Sequence, residues 1–162
     1  MLSRLTVTLA AGTAALLCAT GTFAQLPNPY GSSISLESAR KAAVPAVAEA
    51  QKNNWRMAVA VVDISGDLVY FEKMDGTQAA SVNIAVDKAR SSARFKRPTK
   101  ALQDALAAGG EGLRLLGLQG AVPVDGGVPI LIDGKIVGAI GLSGGTSAQD
   151  GQCAAAGAAV VK

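Results

Sequence analysis

Two apolar runs near the C-terminus, residues 128–132 and 135–142, are separated only by the pair Asp133-Gly134. A two-residue Asp-Gly connection favours a type I′ turn, which joins neighbouring strands that run antiparallel. Residues 57–63 and 68–74 form a second pair of apolar runs, and a Ser-Gly-Asp turn lies between them. This pattern indicates another hairpin. The two hairpins restrict the fold to one that contains an antiparallel sheet.

The rest of the chain is mostly helical in pattern. Ser35 and Thr99 each precede an apolar stretch with helical spacing, and each can cap a helix. Thr146 begins a capping box that opens the last helix. The predicted helices cover residues 36–52, 79–95, 99–108 and 147–161. The segment 122–124 (Val-Pro-Val) is a candidate edge strand, because proline cannot donate to a sheet ladder. The order of elements predicts an α+β domain with helices on an antiparallel sheet.

The first 24 residues have the pattern of an export signal. Arg4 precedes an apolar run at 5–17, and Thr-Phe-Ala before Gln25 is an acceptable cleavage site. The apolar run is too short for a stable membrane span. We therefore expect a signal peptide at 1–24, a linker at 25–34 and one domain at 35–162, in a periplasmic or secreted protein.

The composition restricts the partners and the chemistry. A net charge of +3 is too small to favour nucleic-acid binding. Only Cys153 remains after the predicted cleavage, so the mature chain has no intramolecular disulfide. We interpret Cys153 as a buried, inert thiol in an alanine-rich helix.

Residues 141–145 read Gly-Leu-Ser-Gly-Gly and fit the G-x-S-x-G nucleophile elbow. The elbow serine needs an imidazole to accept its proton, and the chain contains no histidine. A Ser-His-Asp hydrolase is therefore excluded. The same turn precedes a helix, so the backbone N–H groups near Ser143, Gly144, Gly145 and Thr146 are a candidate anion site.

From Ser35 to the C-terminus the chain resembles the GlcG/HbpS family of haem-binding or haem-degrading proteins, also known as DUF336. The resemblance rests on an ordered series of short matches along the domain: Ser35-Leu36-Glu37, Ala39-Arg40, Ala60-Val61-Val62-Asp63, Gly66, Lys73-Met74-Asp75-Gly76, Ala85, Lys88-Ala89, Phe95, Pro98-Thr99, Gly126-Gly127-Val128-Pro129-Ile130, Asp133-Gly134, Val137-Gly138-Ala139-Ile140-Gly141, Ser143-Gly144, Gln149-Asp150, Ala154 and Gly157. The resemblance implies a profilin-like α+β fold with a five-stranded antiparallel sheet, homo-oligomers, and haem binding outside the cytoplasm with a role in haem or redox sensing.

Haem iron would have to be held without histidine. Met74 precedes a turn and is the better candidate for an axial ligand, whereas Met57 and Tyr70 in strands have the character of core residues. Haem could also bind without a protein ligand, through apolar contacts and salt bridges to its propionates.

A basic stretch follows in the second predicted helix. Arg90, Arg94 and Arg97 have the i, i+4, i+7 spacing of one helix face, and Lys88 matches the family pattern nearby. Guanidinium groups bind carboxylates bidentately, so these residues are a candidate clamp for haem propionates or a small carboxylate. A solvated face or a subunit contact is the alternative interpretation.

Three hypotheses for function remain open. The first is an exported protein that binds haem or a small anionic ligand, with its pocket between the sheet and the second helix. The second is an enzyme acting on a small organic acid, with Lys88 or Asp63 as acid and base and the Ser143 turn as oxyanion holder. The third is a structural or sensory oligomer without a pocket.

Overall fold

The computed structural model describes residues 28–161, so the predicted signal peptide and the start of the linker lie outside the described residues. Four helices and four strands follow one another in this part of the chain: α1 (Leu36–Lys52), β1 (Ala58–Asp63), β2 (Leu68–Lys73), α2 (Ser81–Phe95), α3 (Thr99–Ala107), β3 (Gly127–Ile132), β4 (Lys135–Ser143) and α4 (Ser147–Ala158). A 3₁₀ helix at Gly110–Gly117 lies between α3 and β3.

The strands form one antiparallel sheet in the order β2-β1-β4-β3. Both predicted hairpins are present, β1–β2 and β3–β4. In the second, Asp133 and Gly134 have φ values of 49° and 71°, the left-handed values that a type I′ turn requires at both central positions. The α+β class is therefore confirmed.

The prediction of five strands is wrong, because the described residues form a four-stranded sheet. The stretch before α1 is not a regular strand. It forms an isolated parallel bridge between Tyr30 and Ile136 and hydrogen-bonds to β4 through backbone atoms of Pro29, Gly31 and Ile34. The Val-Pro-Val segment is not a strand either. Val122 donates its backbone N–H to Oγ of Ser91 on α2, and Pro123 has no N–H to donate. This segment is therefore tied to a helix instead of the sheet.

Helices cover both faces of the sheet. On one face α1 and α4 enclose the larger core cluster, which includes Met57, Val59, Ile140 and Leu142. On the other face α2 packs on the central strands almost entirely through alanines. This approach is close. A Cβ added at Gly141 would overlap the carbonyl oxygen of Ala85, so glycine is required there for the helix to reach the sheet.

The helix ends agree with the predicted caps in two places out of three. Ser35 accepts a hydrogen bond from the N–H of Ser38, and Thr146 and Gln149 form the reciprocal capping box. Thr99, however, does not cap α3, whose N-cap position is Pro98. Its Oγ1 is buried and accepts the N–H of Gly127 at 2.9 Å, so it joins α3 to β3. Among residues 28–161 no helix has the length and apolar character to cross a membrane.

Candidate functional site

Two of the three predicted clamp arginines brace the β1–β2 turn. Arg90 donates from Nε to the carbonyl oxygen of Gly66 at 2.9 Å, and Arg94 donates from Nε to that of Ser65 at 2.8 Å. The turn is itself fixed, because Oδ1 of Asp63 accepts the N–H groups of Ser65 and Asp67 at 2.8 and 2.9 Å. Two guanidinium groups are thus held beside one rigid turn. Nη1 of Arg90 also lies 3.8 Å from Oδ1 of Asp87, in a pair that is exposed to solvent.

Arg97 does not share that helix face. Helix α2 ends at Phe95, and Lys96 adopts a left-handed conformation with φ of 54°. The chain therefore leaves the helix axis before Arg97, whose Nε donates to the carbonyl oxygen of Phe95 at 3.0 Å. The predicted i, i+4, i+7 face is wrong at its third member. Lys96 instead lies 4.1 Å from the ring centroid of Tyr30, a cation–π contact.

An open groove of about 540 Å³ lies between α2 and the edge strand β2. We call it the α2–β2 groove, and its lining residues are Leu68, Phe71, Val82, Asn83, Val86, Asp87 and Arg90. This groove lies at the sheet edge, whereas over the central strands of the described residues α2 packs closely through alanines and against glycine. That a ligand binds between the sheet and the second helix stays a prediction. Arg94 follows Arg90 by one helical turn.

One apolar residue of the groove, Leu68, reaches it because of an irregularity in the hairpin. Val62 pairs with Leu68 and Val61 pairs with Tyr70, so Val69 is an extra residue in β2. Such a bulge shifts the alternation of side chains. As a result Leu68 and Phe71, three residues apart, both line the groove, whereas Val69 and Tyr70 both pack against the core on the opposite face.

A second concavity, of about 400 Å³, lies between the start of α1 and the β3–β4 turn. Four serines line it, together with Lys135, Asp133 and a few apolar side chains, but no arginine. It therefore lacks the guanidinium group that the α2–β2 groove has in Arg90.

Lys88 is not at a surface. Its Nζ lies 2.7 Å from Oδ2 of Asp150 and 3.2 Å from the carbonyl oxygen of Leu142, and the two charged side chains are 2% and 4% exposed. Asp63 pairs with Gly138, near the other end of β4. The two residues of the enzyme hypothesis are therefore far apart along the sheet, and the lysine is already paired.

The Ser143 turn is occupied by the chain's own side chains. Gly145 donates its N–H to Oδ1 of Asp150 at 3.0 Å, and Thr146 donates to Oε1 of Gln149 at 2.9 Å. Ser143 is buried, and its Oγ donates to Oγ of Ser81. The anion at this helix N-terminus is thus Asp150 itself. As a site for an external anion the turn stays a prediction, with most of its donors already used.

Burial raises the pKa of the Asp150 carboxyl, and the Lys88 ammonium together with the N–H groups of Gly145 and Gly144 act against that rise. In the sequence, the position of Asp150 in the first turn of α4 is the one hint of this arrangement. No local pattern indicates that Lys88, 62 residues earlier, is its partner.

The side chains that usually bind haem iron lie away from the groove. Met74 packs on the α1–α4 side, and its Sδ accepts the N–H of Met57 at 3.5 Å. Tyr70 donates to Glu72 at 2.8 Å, which together with burial raises the pKa of its phenol.

Two further candidate ligands are also engaged elsewhere. Tyr30 donates to the carbonyl oxygen of Ala93. Cys153 is buried, and burial raises the pKa of its thiol to about 11. Within residues 28–161 no cluster of His, Cys, Asp and Glu could hold a metal ion.

Known proteins match nearly the whole domain. The protein GlcG of Escherichia coli (strain K12) is 38% identical over 95 residues, which cover 59% of this chain and 69% of GlcG. The crystal structure of a double mutant of HbpS from Streptomyces reticuli is 33% identical with a TM-score of 0.75, over 96% of this chain and 99% of that chain.

The crystal structure of a PduOC–heme complex is also similar. It is 26% identical with a TM-score of 0.72, and the match covers 80% of this chain and 96% of that chain. A family model described as "Haem degrading protein HbpS-like" matches residues 34–159. The chain therefore belongs to the HbpS-like family, which includes GlcG.

Proposed function

We propose that this protein binds haem, or a similarly flat and apolar compound with carboxylate groups, in the α2–β2 groove. The observation that carries the proposal is the combination of an apolar wall with Arg90 in the lining, while Arg94, one helical turn further on, is braced against the same turn as Arg90. Leu68 is 48% exposed there, and such exposed apolar surface in a concave site marks a binding surface.

The size and chemistry of the groove suit such a ligand. Its volume of about 540 Å³ is within the range of about 300–1,000 Å³ that is usual for small-molecule sites. Phe71 offers a ring for stacking, and Val82 and Val86 form the facing wall one helical turn apart. Arg90 and Arg94 can pair with carboxylates at the end of the groove. A small organic acid would use the arginines but leave the apolar wall uncovered.

The relatives support haem in particular. The family model names haem degradation, and a solved structure with a similar fold is a heme complex. We further propose export through residues 1–24, assembly into a homo-oligomer and a role in haem or redox sensing. N-terminal sequencing of exported protein should begin at Gln25, and light scattering should give a mass above that of one chain.

Titration with haemin tests the ligand. We expect a saturable Soret shift that persists when albumin is added as a competitor. Val82→Asp places a charge in the groove wall, in the first turn of α2 where the helix dipole tolerates an acid, so it should weaken binding by about tenfold or more. Val44→Asp is the matched control, because Val44 is exposed on α1, and this variant should bind haemin like the parent. The absence of any shift in the parent protein would refute the proposal.

A further inference from the structure

The α2–β2 groove contains the groups that bind a porphyrin ring and its carboxylates, but not the groups that bind iron. Haem iron in proteins is usually held by histidine, cysteine, methionine or tyrosine. The chain has no histidine, and the groove is lined by apolar residues with one amide, one acid and one arginine. The residues present therefore fit the porphyrin and its propionates, and do not fit the metal.

Resting on the proposed function, we infer that the groove binds porphyrins by shape and carboxylate pairing, without regard to the metal at their centre. The ligand class would then be dicarboxylic porphyrins, whether they carry iron, zinc or no metal. This assignment follows from which side chains the hairpin presents on each face of the sheet.

The bulge in β2 determines which side chains of this strand face the groove and which face the core. Regular alternation from Phe71 would place position 69 on the groove side and position 68 on the core side. The extra residue at Val69 brings Leu68 into the groove and leaves Tyr70, the tyrosine of this strand, packed in the opposite core. Its hydroxyl donates to Glu72 at 2.8 Å, so the phenol has a partner on that side.

The remaining ligand types in the described residues are also engaged elsewhere. Met74 accepts a backbone N–H and packs on the α1–α4 side. Cys153 is fully buried there, and burial keeps it a thiol, with a pKa of about 11. Tyr30 donates to the C-terminal end of α2 and stacks under Lys96. None of them lines the groove.

Whereas the groove has no side chain suited to iron among the described residues, two arginines suited to carboxylates lie near one end of it. Arg90 and Arg94 are each fixed through Nε to a backbone carbonyl of the same turn. The planar guanidinium groups are thus held in place before a ligand arrives, which lowers the entropy lost on binding. The two arginines, and not a metal bond, should therefore fix the orientation of the ring.

The experiment is a comparison of three porphyrins on the full protein: haemin, zinc protoporphyrin and metal-free protoporphyrin, each followed by its own absorption. We expect dissociation constants that agree within about threefold. The dimethyl ester of protoporphyrin, which lacks the carboxylates, should bind at least about tenfold more weakly. Phe71→Ala should raise the dissociation constants of all three porphyrins by the same factor.

Two outcomes would overturn the inference, and they differ in meaning. If haemin binds more than about tenfold tighter than both other porphyrins, or if bound haemin gives a low-spin six-coordinate spectrum, the metal is recognised and only this inference fails. If none of the three porphyrins binds, both the inference and the proposed function fail.

Discussion

Nζ of Lys88 and Oδ2 of Asp150, 62 residues apart in sequence, lie 2.7 Å from each other in the interior of the domain. The pair joins α2 to α4, and the lysine also donates to Leu142 on β4. Removing one partner of a buried ion pair leaves a charge without compensation. Lys88 therefore connects two helices and a strand, and we interpret it as a residue that stabilises the fold.

We predict that Lys88→Met lowers the free energy of unfolding by about 3–5 kcal/mol, because it leaves the Asp150 carboxylate buried without a partner. Urea denaturation measures this change. Lys41→Met is the control, since Lys41 and its partner Glu37 are 64% and 79% exposed and such pairs contribute about 0–1 kcal/mol. Adding Asp150→Asn to Lys88→Met should restore part of the loss.

The result also bears on catalysis. If Lys88→Met keeps its stability within about 1 kcal/mol of the parent but loses a turnover that the parent has, the lysine is a functional group and our interpretation of the ion pair is wrong.

A second prediction concerns Cys153. Burial raises its pKa from the ordinary 9.0 to about 11. Because the folded value lies above the unfolded one, the associated stability is fully present below pH 9.0 and is lost as the pH rises through about 11. Cys153→Ala should therefore lose less stability than the parent over this interval in urea denaturation at stepped pH. An equal loss in both proteins would contradict the prediction.

The same burial predicts slow alkylation of the native thiol, because the thiolate is the reactive form. Iodoacetamide should label Cys153 quickly in urea and slowly without it. Rapid labelling of the native protein near neutral pH would mean that the thiol is accessible.

The sequence predicts local structure here better than it predicts contacts between distant residues. The Asp133-Gly134 turn and the Thr146 capping box are decided by neighbouring residues, and both are confirmed. Lys88 looked like a ligand-binding residue because its position on α2 does not reveal an acid on α4. Thr99 looked like a helix cap because its bond to Gly127 crosses 28 positions.

The sequence predicts only part of the candidate site, again because contacts between distant residues are not visible in local patterns. Helical spacing brings Arg90 and Arg94 together, but one left-handed residue at position 96 removes Arg97 from their face. Leu68 faces the groove because of a bulge at Val69 that alternation alone does not predict. Val82 and Val86 have the four-residue spacing of one helix face, yet nothing local indicates that they face an open groove.

A third prediction tests the close approach of α2 to the sheet. Gly141→Ala would place a Cβ against the backbone of Ala85 and Ala89, and backbone cannot move aside as a flexible side chain can. We expect a loss of at least about 2 kcal/mol in the free energy of unfolding or a failure to fold. Gly117→Ala is the matched control, since an added Cβ there meets nothing within 4 Å. Equal stability of both variants would refute the tight packing.

The last prediction separates the two roles of Arg94. Its Nε donates to the carbonyl of Ser65, and an exposed hydrogen bond of this kind contributes about 0.5–1.5 kcal/mol. Arg94→Glu should therefore lower the free energy of unfolding by no more than that amount. Because it replaces a group that binds carboxylates with one that repels them, it should weaken the binding of haemin by about tenfold or more. Arg40→Glu on α1 makes the same charge change away from the groove and should leave affinity unchanged. If both variants weaken haemin equally, the effect is one of overall charge, and if Arg94→Glu instead lowers the mass of the assembly, the arginine belongs to a subunit contact.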